Sequence, residues 1–244
     1  MWFKCITCEV IARIVYACAA ASPNIIDIEL VQRGLHNHPD NLRKHLQSLI
    51  DASENKKYDA VLLSYGLCGQ ATAGLRAQTR PLVIPRAHDC ITLFLGSRDR
   101  YTTQFNNHPG TYWYAQDYIE RDDGSGSSLS LGSGMDTNIQ SQYQEFVDKY
   151  GQENADYLME VMGAWQQHYQ RAVFIDMGVS DGTLVEQQAQ NESIRRGWTY
   201  EKISGDVSLV KKLLDGNWEA DYLIVPPGES VVMTYDENVI GCKV

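Results

Sequence analysis

The run Ala60-Val61-Leu62-Leu63-Ser64-Tyr65 limits the fold more than any other stretch of the chain. It is nearly continuous in apolar side chains, short, and closed by Gly66. Such a run reads as a strand covered on both faces, which belongs in a parallel sheet with helices on either side. Residues 172–176 and 222–225 have the same character. Strands are also expected over 3–8, 25–30, 82–84, 112–114, 199–203 and 231–235.

Between these runs the apolar period changes. Val10, Ile11, Ile14, Val15 and Cys18 recur at helical spacing, as do Leu42, Leu46, Leu49 and Ile50. Helices are therefore expected over 9–21 and 40–53, and likewise over 183–196 and 207–214. Gly197 stands where a left-handed residue ends a helix. Gly66–Gly69 reads as a tight turn with a short helix after it through Leu75, and another helix is expected over 88–95. Residues 121–135 are rich in Gly and Ser and read as a surface loop. Two helices, 139–150 and 154–169, are expected after it.

Short strands alternating with helices give an α/β fold with a mostly parallel sheet. The alternation occurs twice. Two Rossmann-like halves are expected, 1–116 and 170–244, with a loop and helical connector over 117–169.

Charge and composition exclude several function classes. The chain carries 21 basic and 31 acidic residues among 244, a net charge of −10. An acidic chain without a basic stripe is a poor nucleic-acid or anionic-membrane binder. Its apolar stretches fall well short of the roughly 20 residues needed to span a bilayer. The start, Met1-Trp2-Phe3-Lys4-Cys5, lacks the pattern of a secretory signal, so the cytoplasm is the expected compartment. No glycine-rich dinucleotide or P-loop motif is present, nor a hydrolase nucleophile elbow.

The six cysteines carry the chemistry. In a reducing compartment they are buried, catalytic or metal-bound rather than bridged. Open parallel sheets bind ligands beyond the C-terminal ends of their strands. Cys8 ends the first strand, Cys68 follows Tyr65 by three residues, and Cys90 follows the fourth strand. In a doubly wound sheet the first, third and fourth strands lie side by side, so these three thiols are expected to share one rim.

Converging thiolates are the ligand set of zinc or an iron–sulfur cluster. His88, two residues before Cys90, is a fourth ligand, a general base, or part of a helix cap. Gly66 and Gly69 flank Cys68 and allow close backbone approach to a bulky cofactor. Cys5 and Cys18 read as core and Cys242 as a bystander. In the second half, Asp176 ends a strand and is a candidate acid or base. Gly178 and Gly228 are candidate cofactor contacts on turns, with Glu229 beside the latter.

Two other readings of the same residues stand beside the metal site. One is a metal-free cysteine nucleophile, Cys68 or Cys90, with His88 as base. The other is a non-catalytic carrier or adaptor.

The strings Tyr65-Gly66-Leu67-Cys68-Gly69 and Pro85-Arg86-Ala87-His88-Asp89-Cys90-Ile91-Thr92-Leu93 resemble the family catalogued as domain of unknown function 1638. So do His108-Pro109-Gly110-Thr111-Tyr112, Ile175-Asp176-Met177-Gly178 and Val225-Pro226-Pro227-Gly228. The resemblance implies that Cys8, Cys68, His88 and Cys90 belong to the family pattern. It also implies companionship with corrinoid-dependent methyltransferase systems. A small-molecule substrate in one-carbon metabolism, and a corrinoid protein or methyltransferase as partner, follow as expectations.

Overall fold

The structure is a computed structural model and describes residues 1–121, 147, 151–152 and 169–243. These fall into two compact units. The first comprises Met1–Thr103, Met177–Asp181 and Ser204–Val244, and the second Gln104–Asp176 and Gly182–Ile203.

The first unit is built on a five-stranded sheet. Its strands are β1 (Trp2–Cys8), β2 (Ile25–Val31), β3 (Ala60–Ser64), β4 (Leu82–Pro85) and β8 (Tyr222–Val225). Their order is β2-β1-β3-β4-β8. The first four run parallel, and β8 pairs antiparallel with β4, Leu82 opposite Val225. All five residues of β3 are buried, as its unbroken apolar run requires.

Helix α1 (Ala12–Ala21) buries Ala12, Ile14, Val15 and Cys18, and α2 (Pro39–Ser53) buries Leu42, Leu46, Ile50 and Ser53. Helix α7 (Ser208–Asp215) buries Leu209, Val210, Leu213 and Leu214 and ends on the left-handed Gly216. A hairpin of β9 (Ser230–Met233) and β10 (Ile240–Lys243) completes the unit. Two further helices, α3 (Cys90–Leu95) and α4 (Arg98–Asn107), follow β4.

The second unit is a three-stranded sheet in the order β5-β6-β7. It consists of β5 (Thr111–Ala115), β6 (Arg171–Asp176) and β7 (Thr199–Ser204), with β5 and β6 parallel. Helices α5 (Gln116–Glu120) and α6 (Thr183–Arg196) accompany it. Its core is aromatic: Tyr112, Tyr114 and Phe174 pack with Ala172, Val185 and Ala189, and Trp198 and Tyr169 lie against them.

The α/β class and the parallel arrangement are as the alternation predicts. Several local expectations are corrected. The turn expected at Gly66–Gly69 is present, but residues 70–74 continue it as further turns rather than a helix. Positive φ at Cys68, Gly69 and Gln70 explains why, since a right-handed helix cannot include them. Residues 9–11 are a separate 3-10 turn before α1. The helix expected over 88–95 begins only at Cys90. The tail carries β10, which contains Cys242. The expected Gly/Ser loop over 121–135 and the helices over 139–150 and 154–169 lie, Arg121, Val147 and Tyr169 apart, outside the described residues. No helix among the described residues is long and apolar enough to cross a membrane.

Leu62 sits fully buried in the central strand β3. Replacing it with Ala should lower unfolding stability by about 2–5 kcal/mol, read as a shift of the denaturant midpoint.

Candidate metal centre at the sheet rim

The site is assembled by the segments that leave the C-terminal ends of β1, β3 and β4, which are neighbours in the sheet. Cys8 is the last residue of β1 and is buried. The turn after β3 carries Gly66, Leu67 and Cys68. The loop after β4 carries Ala87, His88 and Asp89 and enters α3 at Cys90.

These two segments are joined by their backbones. Leu67 N–H donates to Ala87 O at 2.8 Å, and Cys68 N–H donates to His88 O at 3.0 Å. Gly66 makes the approach possible. A Cβ built there would lie 2.7 Å from both Cα and N of Asp89. Glycine at 66 is thus required by packing. Gly69 owes its place to conformation, at φ +64.

Cys68 itself has φ 47, and Gln70 has φ 71. A left-handed conformation at a residue with a Cβ costs roughly 1–2 kcal/mol. Strain of this kind, held by its surroundings, is concentrated at functional sites. One of the strained residues here, Cys68, is one of the three thiols.

On the other side, Asp89 caps α3. Its Oδ1 accepts from Ile91 N at 3.0 Å and Thr92 N at 3.3 Å, and Tyr101 Oη donates to its Oδ2 at 3.3 Å. The cap considered for His88 is therefore made by its neighbour Asp89. His88 is exposed and its ring stacks on Tyr101, with centroids 5.7 Å apart. Cys90 occupies the first position of the helix, and Cys68 and Cys90 are each partly exposed.

The three thiols share one electrostatic environment. Burial pushes the Cys8 thiol up to about 12, helped by the nearby Glu9 carboxylate and opposed by hydrogen bonding and by Arg33. Burial raises Cys68 too, and the charges of Cys8 and Asp89 add to it. Cys90 is raised well above its ordinary value by burial, then by Asp89, Cys68 and Cys8. Each thiol is thus within electrostatic reach of the others. All are neutral at pH 7. Among the described residues, no group of three or more His, Cys, Asp or Glu side chains stands in ready ligating geometry.

Around them lies an aromatic and charged surround that sequence reasoning did not assign to the site. Tyr65, 1% exposed, follows β3 directly. Its hydroxyl has no hydrogen-bond partner of acceptable geometry, although it lies in range of the Cys8 sulfur. The ring stacks on His36 at 5.8 Å, and His36 Nδ1 is 3.0 Å from Arg33 O. Glu9 Oε1 accepts from Arg33 N–H at 2.6 Å, tying the segment after β2 to that after β1. The available signal was Tyr65 itself. A tyrosine inside a run buried on both faces must bring its hydroxyl into the interior.

The remaining sequence candidates lie elsewhere. Asp176 ends β6 in the second unit, where its Oδ2 pairs with Lys202 Nζ at 3.1 Å, and Lys202 also reaches Glu186 at 2.7 Å. Gly178 and Gly228 have positive φ, and a Cβ at either would meet nothing within 4 Å. Their glycine character thus reflects backbone conformation. Residues 226–229 form a turn between β8 and β9, with Gly228 N–H donating to Ala77 O at 2.9 Å. Glu229 engages Cys242. Cys5 and Cys18 are buried in the core, as expected.

A family model described as "Protein of unknown function (DUF1638)" matches residues 30–214. Cys68, His88 and Cys90 lie inside that span and Cys8 precedes it. No curated protein and no solved structure matches the chain.

Two predictions follow from this geometry. Gly66→Ala should destabilise the protein by about 1–3 kcal/mol, because the methyl meets backbone rather than a movable side chain. Its denaturant midpoint checks this. The pH response is also set. A thiol whose folded value is raised stabilises the fold fully below its unfolded value near 8.5. That contribution is lost at about 1.4 kcal/mol per pH unit as pH rises toward the folded value. The melting temperature of reduced, metal-free protein should fall from about pH 9 upward. The fall should be shallower when Cys8, Cys68 and Cys90 are all Ser.

Proposed function

The chain belongs to the DUF1638 family of proteins of unknown function, and from its own geometry we propose that it is a metalloprotein in which Cys8, Cys68 and Cys90 hold a zinc ion or a [4Fe–4S] cluster. The observation that carries this reading is the gathering of three thiols from three adjacent strand ends into mutual electrostatic reach. Sulfur donors of this kind select zinc or iron–sulfur centres over magnesium or calcium.

The donor set fits a cation better than it fits a free nucleophile. A reactive thiolate needs a neighbouring positive charge or a helix N-terminus to lower its pKa. Cys90 opens α3 and a backbone N–H favours its ionisation, but burial, then Asp89 and the other two thiols, outweigh this and raise it well above its ordinary value. A bound metal reverses that balance, because coordination deprotonates the thiols and neutralises their repulsion.

Three protein thiolates leave one position for an outside ligand, where the metal can bind or polarise a substrate. His88 stands at the rim beside Cys90 and is the nearest imidazole in sequence for that position or for proton transfer. The substrate class is a small molecule. Methyl transfer with a corrinoid protein or methyltransferase as partner is the chemistry to examine first, and the family resemblance alone supports it.

Metal and acid-labile sulfide should be measured on protein purified without oxygen. About one zinc per chain, or about four irons with four sulfides, is expected. Each of Cys8→Ser, Cys68→Ser and Cys90→Ser should lower that content sharply. Full metal retention in all three variants would refute the reading.

A further inference from the structure

Strand β2 is the outer strand of the five-stranded sheet, and among the described residues no strand lies beyond it. Ile25 N–H donates to Met1 O at 3.0 Å, and on the far side of β1 Asp59 N–H donates to Trp2 O at 2.8 Å. Backbone groups alternate in direction along a strand, so Ile25, Asp27, Glu29 and Val31 turn theirs toward β1. Ile26, Ile28 and Leu30 turn theirs outward. Edge strands are ordinarily guarded by being short, or by lysine, proline, a bulge or an uncompensated charge. Strand β2 is seven residues long, and its sequence Ile-Ile-Asp-Ile-Glu-Leu-Val holds neither lysine nor proline. It pairs with β1 one to one along its whole length, so no bulge interrupts it. Its two charges are compensated within the chain. Asp27 accepts from Tyr58 Oη at 2.6 Å and pairs with Lys56 at 3.1 Å, and Glu29 pairs with Lys4. Ile26, Ile28 and Leu30 share one face of the strand, and each is only half-buried.

We propose that β2 is a dimer interface, pairing antiparallel with β2 of a second copy of this chain about a two-fold axis at Ile28. A two-fold interface needs a patch that complements itself, and in this register the strand does. Ile28 lies opposite Ile28 and Ile26 opposite Leu30. These are the residues whose backbone groups point outward, so each facing pair exchanges two hydrogen bonds. The same pairs set aliphatic side chains together on the half-buried face. On the other face Ile25 meets Val31, and Asp27 meets Glu29. Facing carboxylates alone would repel. Here each brings a lysine of its own chain, and Lys4, bonded to Glu29, also stands level with Asp27 in the register. The two edges therefore meet with balanced charge. A slip of one residue opposes Ile28 to an acid, and an outward-facing backbone to an inward-facing one, so the register is fixed. The inference is independent of the three-cysteine reading.

The test uses the reduced full-length protein. Sedimentation equilibrium of the wild type should give about twice the mass of one chain. Ile28→Pro and Ile28→Lys should each give the mass of one chain. The proline removes an outward N–H that β1 does not use, and the lysine would face its own copy across the axis. Far-ultraviolet circular dichroism should show that both keep their sheet. Amide hydrogen exchange reads the edge itself and decides the matter where a variant fails to fold. In concentrated wild type the amides of Ile26, Ile28 and Leu30 should exchange about as slowly as those of Asp27 and Glu29. On dilution to single chains those three should speed up by about tenfold or more. A wild type of single-chain mass at every concentration would overturn the inference. Fast edge amides would then leave β2 open to a different protein, and slow ones would assign its edge to another segment of this chain. A dimer that survives both folded variants, or whose three edge amides exchange fast, would place the interface elsewhere and overturn it as well.

Discussion

The two backbone hydrogen bonds from Leu67 and Cys68 to Ala87 and His88 are what the rim of the first unit depends on. They turn two separate strand exits into one short ribbon. They can form only because residue 66 has no side chain where Asp89 crosses it. Asp89 is in turn fixed by its cap on α3 and by Tyr101. One crossing point thus sets where Cys68 and Cys90 begin. The parallel pairing of β1 with β3 brings Cys8 to the same edge.

This construction opposes the intrinsic preferences of its parts. Cys68 is held in a left-handed conformation, three thiols are packed where their charges would repel, and a tyrosine hydroxyl is buried without a good partner. Each is unfavourable alone, and each involves the same few side chains. Natural sequences agree with their folds at most positions and depart from that agreement where function demands it. A cation held by the thiols would offset the repulsion between them once they ionise.

The sheet was legible because its signals are local and strong. The apolar run that became β3 and the helical periods of α1, α2 and α6 each follow from a few adjacent residues. The placing of Cys8, Cys68 and Cys90 at strand ends needed only those strands and the rule that ligands gather at their C-terminal edge. What stayed hidden depended on contacts distant in sequence. The turns over 70–74 look helical until the positive φ values at 68–70 are known. The need for glycine at 66 comes from Asp89, more than twenty positions away. Tyr65, His36 and Arg33 belong near the thiols because β2, β1 and β3 are neighbours, which no single window of sequence contains.

The sign of the local field decides what the thiols are suited to do. A cysteine prepared as a nucleophile is stabilised as its anion before substrate arrives, by an adjacent imidazolium, a lysine or a helix terminus. At this rim Arg33 favours ionisation of Cys8, and hydrogen bonds favour it at each thiol, Cys90 at the start of α3 included, but Glu9, Asp89 and the thiols themselves act in the opposite direction. Burial adds to them and is the larger effect at every one of the three. Under the proposed three-cysteine reading, ionisation and loading would be a single event, in which three neutral thiols are exchanged for three coordinated thiolates and the liberated protons leave to solvent.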